Sequence, residues 1–281
     1  MNGGDRLAGR QASATRGASA PVPRWTPVAR VAVVVLAATA LTASARALLP
    51  PPHAYGSPQR YLSLGVQGAL MVCVVLVAVR VLDRRPASAL GLPGPARGWR
   101  PLLAGALAWY AAASAGLAVL LLTGAVPPLR DPAPALALVP VFAGTLLLHA
   151  LPTELLFRGY VQTNLAGRLR GWTLLSVTAA IQTASLAAVL GPPGVTGAVA
   201  QFGLALALGY LRALSGNVWM GAAVLAATST TVLLPAHVLT GGLMATLLIG
   251  VLPPAAVVAA LHRIARRHPA WLGGGGPGAR R

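Results

Sequence analysis

The chain has 281 residues, 22 basic groups against four acids and a formal net charge of +18, yet only 9% of its residues are charged and 56% are hydrophobic. Globular chains average about 25% charged residues, so this composition excludes an ordinary soluble enzyme and points to a polytopic, all-α membrane protein. Every basic side chain is arginine, and the acids are Asp5, Asp83, Asp131 and Glu154; general bases and carboxylate metal ligands are therefore scarce.

In chain order, residues 1–26 are polar and arginine-rich and read as a disordered basic tail. Eight apolar stretches follow, at about 31–49, 61–82, 101–124, 135–157, 171–190, 195–214, 217–235 and 240–261. Each is near the ~20 residues that span a bilayer. A transmembrane bundle is thus expected over 27–262, followed by a second basic, Gly-rich tail over 263–281. The first stretch, with its basic flank and Ala43–Ser44–Ala45, imitates a signal peptide, but seven further spans favour a retained helix. The longest connection, 83–100, is too short for a soluble domain, and no internal repeat is evident.

Arginine placement tests the count of eight. The first tail, the 83–100 loop, the connections at 168–170 and 212, and the last tail are arginine-rich. The intervening connections carry only Arg46, Arg60 and Arg130, or none. Rich and poor segments alternate without a break, which the positive-inside rule converts to both termini in the cytoplasm. The arginines form no nucleic-acid motif, so no nucleic-acid partner is expected; the bilayer is the expected environment. Cys73 has no second cysteine to pair with. Replacement of all Lys by Arg, with abundant Ala, Gly and Pro, suggests a GC-rich bacterial genome, hence a bacterial plasma membrane.

Polar groups inside a membrane are costly and are the first place to look for function. Glu154, the sole glutamate, precedes Arg158 by four residues, so the two share a helix face and can pair. A purely structural clamp is the competing reading. His149 lies five residues before Glu154, and Pro152 between them is expected to kink or break the helix. One histidine is far from the several ligands a zinc site needs, so no metal or other cofactor is expected. Thr178, Gln182 and Ser185 form one stripe on the fifth stretch, and Thr228–Ser229–Thr230–Thr231 a cluster on the seventh. Interhelical hydrogen bonding is the plainer reading, a lined cavity the sharper one.

The run TELLFRGYVQ at Thr153–Gln162 resembles the first motif, EExxxR, of the CPBP family of intramembrane proteases, which includes type II CAAX prenyl proteases, Abi proteins and lysostaphin-resistance-like proteins. Gly209–Tyr210–Leu211–Arg212 followed by Ser215–Gly216–Asn217–Val218–Trp219 is similar to a second family stretch, and the turn Leu90–Gly91–Leu92 also fits. The resemblance covers about 138–232. It implies a helical membrane fold and a peptidase built from a first-motif glutamate, a histidine of FxxxH, and a histidine and asparagine of HxxxN.

The chain departs from that pattern. Thr153 stands at the first glutamate, and only Glu154 and Arg158 of the first motif remain. The run at 181–185 puts Ser185 at the FxxxH histidine. The run at 225–229 puts Leu225 at the HxxxN histidine and Ser229 at its asparagine. Leucine cannot donate, accept or coordinate, and threonine is no carboxylate base. Three readings compete. The first is a degenerate member binding a hydrophobic or prenylated peptide or a membrane partner. The second is an active endopeptidase using Glu154 with Arg158 and His149. The third is a small-molecule transporter.

Overall fold

The computed structural model describes residues 26–49, 57–124, 135–231 and 252–267. His53, His237, His268, Arg130, Asp131, most of both tails and the first half of the eighth apolar stretch lie outside these residues. Among the described residues are eight long helices, α1 (Pro27–Leu48), α2 (Pro58–Val77, continued by a π turn to Leu82), α3 (Pro95–Leu122), α4 (residues 135–165), α5 (Gly171–Leu190), α6 (Val195–Ser215), α7 (Trp219–Thr231) and α8 (Leu252–Arg267), and one short 3-10 turn at Ala87–Leu90. Six of them, α1 to α6, are long and apolar enough to cross a membrane. The protein is a polytopic helical membrane protein, as composition required. The last helix runs to Arg267, beyond the expected end at 261, so the start of the last basic segment is helical.

Local signals fix the helix starts. Thr26 and Ser57 accept hydrogen bonds from Ala29 N and Arg60 N, at 3.3 Å each, and are followed by Pro27 and Pro58. A hydroxyl N-cap followed by proline satisfies an otherwise orphaned donor and presets the first helical φ. The Gly216 φ of 69° ends α6 in the left-handed conformation that glycine adopts without penalty.

The cores explain why α4 is central. One cluster joins α3, α6, α7 and α8 through Trp109, Leu208, Leu211, Met220 and Leu261, and reaches Leu146 and Ala150 of α4. A second joins α1 and α2 to the other half of α4 through Val34, Val75, Leu156, Tyr160 and Val161. Residues Met220 to Ala227 of α7 are all buried, so that helix lies inside the bundle. Large apolar side chains such as Leu36, Leu62, Leu107 and Leu147 point outward. In a bilayer that is the solvent they require.

Helix ends sort into two sides. Arg30 at the start of α1 pairs with Asp83 after α2 at 3.1 Å, and Asn164 near the end of α4 donates to the same carboxylate at 3.2 Å. The 83–94 connection meets the α6–α7 junction through the Trp219 indole, which donates to Pro93 O at 3.0 Å. These ends carry Arg80, Arg84, Arg85, Arg97, Arg100, Arg168, Arg170 and Arg212. The opposite end carries Arg46 and Arg60 among the described residues.

Of the break or kink expected at Pro152, the break does not occur: α4 stays helical through it. It switches to π geometry at Leu146–Ala150, returns to α at Leu151–Glu154 and is again π over Leu155–Val161. Widening the turn lets Leu151 N bond Leu146 O, so the helix continues past the missing proline donor. Proline cannot donate to Leu148 O, and that carbonyl faces Gly68 of α2, where a Cβ would collide with it.

Candidate functional site

The site grows from the first-motif residues on α4. Glu154 and Arg158 are both fully buried, with Arg158 Nη1 3.3 Å from Glu154 Oε1. The Arg158 guanidinium also donates to Gln182 Oε1 on α5 and to Ala205 O on α6. The Glu154 carboxylate accepts no further hydrogen bond and backs onto Gly221 of α7, where a Cβ would run into it. The i,i+4 spacing read from sequence therefore extends into a junction of four helices. The single glutamate is turned to its arginine and a glycine.

Beside this junction lies a cavity of 510 Å³. Its walls include Thr153 and His149 of α4, Gln182 and Ser185 of α5, and Leu225 and Ser229 of α7. Thus Thr153, Ser185, Leu225 and Ser229, the four positions substituted relative to the resembled motifs, come together on one cavity although they come from three different helices. Glu154 and Arg158 are not part of its wall. Among the described residues no Asp or Glu lines it. The Thr153 hydroxyl is engaged with His149 O at 2.8 Å, Thr228 with Val224 O at 2.8 Å and Ser229 with Leu225 O at 3.0 Å. Such back-bonded hydroxyls keep acceptor capacity toward the cavity but are not activated nucleophiles.

The polar stripes divide between the two readings given to them. On α5, Thr178 bonds within its helix, Gln182 bonds Arg158 while reaching the cavity, and Ser185 lines the cavity. On α7, Thr228 and Ser229 line it. Thr230 meets the Tyr110 hydroxyl at 2.6 Å, and Thr231 accepts from the Trp109 indole at 3.1 Å, both interhelical bonds to α3.

The second motif-like stretch has a positioning role in the geometry. Arg212 reaches Leu90 O at 3.4 Å and Gly91 O at 3.5 Å, and Val218 N donates to Gly91 O at 3.2 Å. Gly91 has φ 72°, and a Cβ there would strike the Arg212 guanidinium. Glycine is required on both counts. The three sequence fragments that carried the resemblance meet at the arginine-rich end. His262 of α8 bonds the Tyr210 hydroxyl at 2.6 Å and is not part of the cavity wall.

Sequence reasoning missed the contribution of α1 and α2. Thr42 and Arg46 of α1, and Arg60, Ser63 and Gln67 of α2, line the same cavity. The signal was present: Arg46 and Arg60 stand where the charge alternation calls for no arginine.

A catalytic metal does not fit the residues present. Zinc sites take three or four His, Cys or carboxylate ligands. The wall offers one imidazole, hydroxyls and amides. No group of three His, Cys, Asp or Glu converges anywhere among the described residues.

Residues 135–231 match the family model described as type II CAAX prenyl endopeptidase Rce1-like. That span overlaps almost all of the 138–232 over which the motif resemblance was read. No curated protein and no solved structure matches the chain.

Proposed function

We propose that this CAAX-protease-like membrane protein is a catalytically degenerate member that keeps the cavity and uses it to bind, without cleaving, a hydrophobic or lipidated molecule or a membrane partner. One observation carries the reading. The four positions at which the resemblance implies catalytic groups share one cavity, and they hold threonine, serine, leucine and serine, while the lone glutamate is tied to Arg158 outside the wall. Water activation needs a base within hydrogen-bond reach of the reacting atom, and none of these four side chains is one. Glu154, Arg158 and His149, the residues left for an active peptidase, then act as a helix junction and, for His149, as part of the wall. Arginine asymmetry supports a cytoplasmic placement of the arginine-rich end and of both termini, in the bacterial plasma membrane that the composition suggests.

The test is an in-membrane cleavage assay on prenylated and unmodified peptides, comparing wild type with Glu154→Gln and His149→Ala. The expected result is no turnover above the empty-membrane background in any of the three. Cleavage that disappears with Glu154→Gln in a folded protein would establish an active endopeptidase instead.

A further inference from the structure

The cavity between Thr153, Ser185 and Ser229 has a direction. Helices α1, α5 and α7 run from the arginine-rich end toward the arginine-poor one, and α2, α4 and α6 run back. The wall takes later residues of α1, α5 and α7, such as Arg46, Leu190 and Ser229, and earlier residues of α2 and α6, such as Arg60 and Gln201. All five helices therefore give it their arginine-poor halves. Leu190 is the last residue of α5, and Arg46 and Arg60 stand two residues from the end of α1 and the start of α2, so the cavity reaches the helix ends on that side. Along α5 the wall passes from Leu190, 52% exposed, to Gln182, 9% exposed, over a rise of about 12 Å at 1.5 Å per residue. Leu156 and Phe157 of α4, both buried, line its inner end. Next on α4, Arg158 bonds Gln182 and the Ala205 carbonyl, and Tyr160 and Val161 have no exposed surface. Among the described residues the cavity thus opens toward the arginine-poor end and is closed toward the arginine-rich one.

The wall chemistry is mixed along its whole length. On α2, Ser63 and Gln67 flank Leu64, and on α5, Ser185 stands beside Leu186. Hydroxyls and amides reach the inner end too, as Thr153 and Gln182. A hydrocarbon chain offers such groups no hydrogen bond anywhere. A peptide offers a donor and an acceptor at nearly every residue, with side chains of either kind between them. The volume of 510 Å³ sits within the 300–1,000 Å³ typical of small-ligand sites, which suits a short stretch of chain and not a folded domain.

We infer that the cavity is loaded from the exoplasmic side of the membrane and takes from there a short, unlipidated polypeptide segment, not a prenylated tail offered by the cytoplasm. This rests on the reading of the cavity as a binding site and on the cytoplasmic placement of the arginine-rich end; it specifies the ligand and the side from which the ligand comes.

Thiol labelling of the full chain in sealed membrane vesicles tests it. The native Cys73 is exposed and is first replaced, Cys73→Ser. Ser185→Cys and Ser229→Cys, made singly, then report from the cavity wall, and Arg100→Cys from the exposed arginine-rich end. A charged maleimide that does not cross membranes is expected to label both wall cysteines an order of magnitude faster in right-side-out than in inverted vesicles, and Arg100→Cys the other way round. An end-capped peptide of alternating leucine and serine, added to right-side-out vesicles, is expected to slow wall labelling several-fold, and farnesol and monoolein to leave it unchanged. Wall labelling that is faster in inverted vesicles, or absent from both kinds, would overturn the exoplasmic route. If Arg100→Cys then labels from the opposite side to the wall, the cavity's direction in the fold stands and only the membrane orientation fails. Farnesol or monoolein slowing wall labelling as much as the peptide would overturn the peptide and leave the cavity a binding site. If the wall labels and no probe slows it, the binding reading fails as well.

Discussion

Arg158 holds Glu154 at 3.3 Å while reaching Gln182 of α5 and the Ala205 carbonyl of α6, so one ion pair becomes the joint at which three helices are fixed. Removing one partner of a buried pair leaves an uncompensated charge, which costs about 3–5 kcal/mol, whereas replacing both with apolar groups is often near neutral. Arg158→Met is expected to be the more damaging single change, because Glu154 has no other hydrogen-bonding partner. Glu154→Leu leaves Arg158 two acceptors and should cost less. The double variant should be more stable than Arg158→Met. Thermal unfolding in detergent, run as a double-mutant cycle, measures the coupling; strictly additive effects would contradict the pairing.

Glycine packing gives a second prediction. Gly221→Ala drives a methyl into the Glu154 carboxylate, and Gly68→Ala drives one into the Leu148 carbonyl. Overpacking of this kind costs about 1–3 kcal/mol. A Cβ at Gly203 on α6 meets nothing within 4 Å. Gly203→Ala should therefore gain the roughly 0.5–1 kcal/mol by which Ala exceeds Gly inside a helix. Melting temperatures of the three variants should rank Gly203→Ala above wild type and the other two below it.

The loop clamp predicts a local effect. Gly91→Ala combines a left-handed backbone, about 1–3 kcal/mol for a non-glycine residue, with a clash at Arg212. Arg212→Ala removes the groups that approach Leu90 O and Gly91 O. Both changes should raise the rate of proteolytic nicking within residues 83–94. Rates equal to wild type would show that Trp219 and Val218 hold the loop unaided.

The convergence of four substituted positions can be tested by restoring them. The variant Thr153→Glu/Ser185→His/Leu225→His/Ser229→Asn places a carboxylate, two imidazoles and an amide on one wall, with His149 beside them. Three strong ligands in one cavity meet the requirement of zinc. The variant is expected to retain one zinc per chain after dialysis, measured by elemental analysis, and wild type none. A metal-free quadruple variant would show that the four side chains do not converge closely enough.

What the sequence determined by itself follows from short-range physics. A chain with 9% charge must put its apolar surface in lipid. Runs of about 20 apolar residues set the helices, and Thr26–Pro27 and Ser57–Pro58 set two of their starts. The four-residue spacing of Glu154 and Arg158 placed them on one face, and motif spacing marked 138–232, the segment the family model matches. Tertiary structure decided the rest. Pro152 promised a break because proline lacks a donor, yet the π turns around it kept α4 continuous, and Gly68 made room for the Leu148 carbonyl one turn away. Whether Gln182 was glue or wall depended on where Arg158 pointed, and it is both. The cavity was invisible as a unit because its wall draws a few residues each from α1, α2, α4, α5, α6 and α7, helices whose mutual packing no local pattern encodes. Composition announced the shortage of acids. Only the packing of α4 against α7 put the one glutamate of the chain outside that wall, against Arg158 and Gly221.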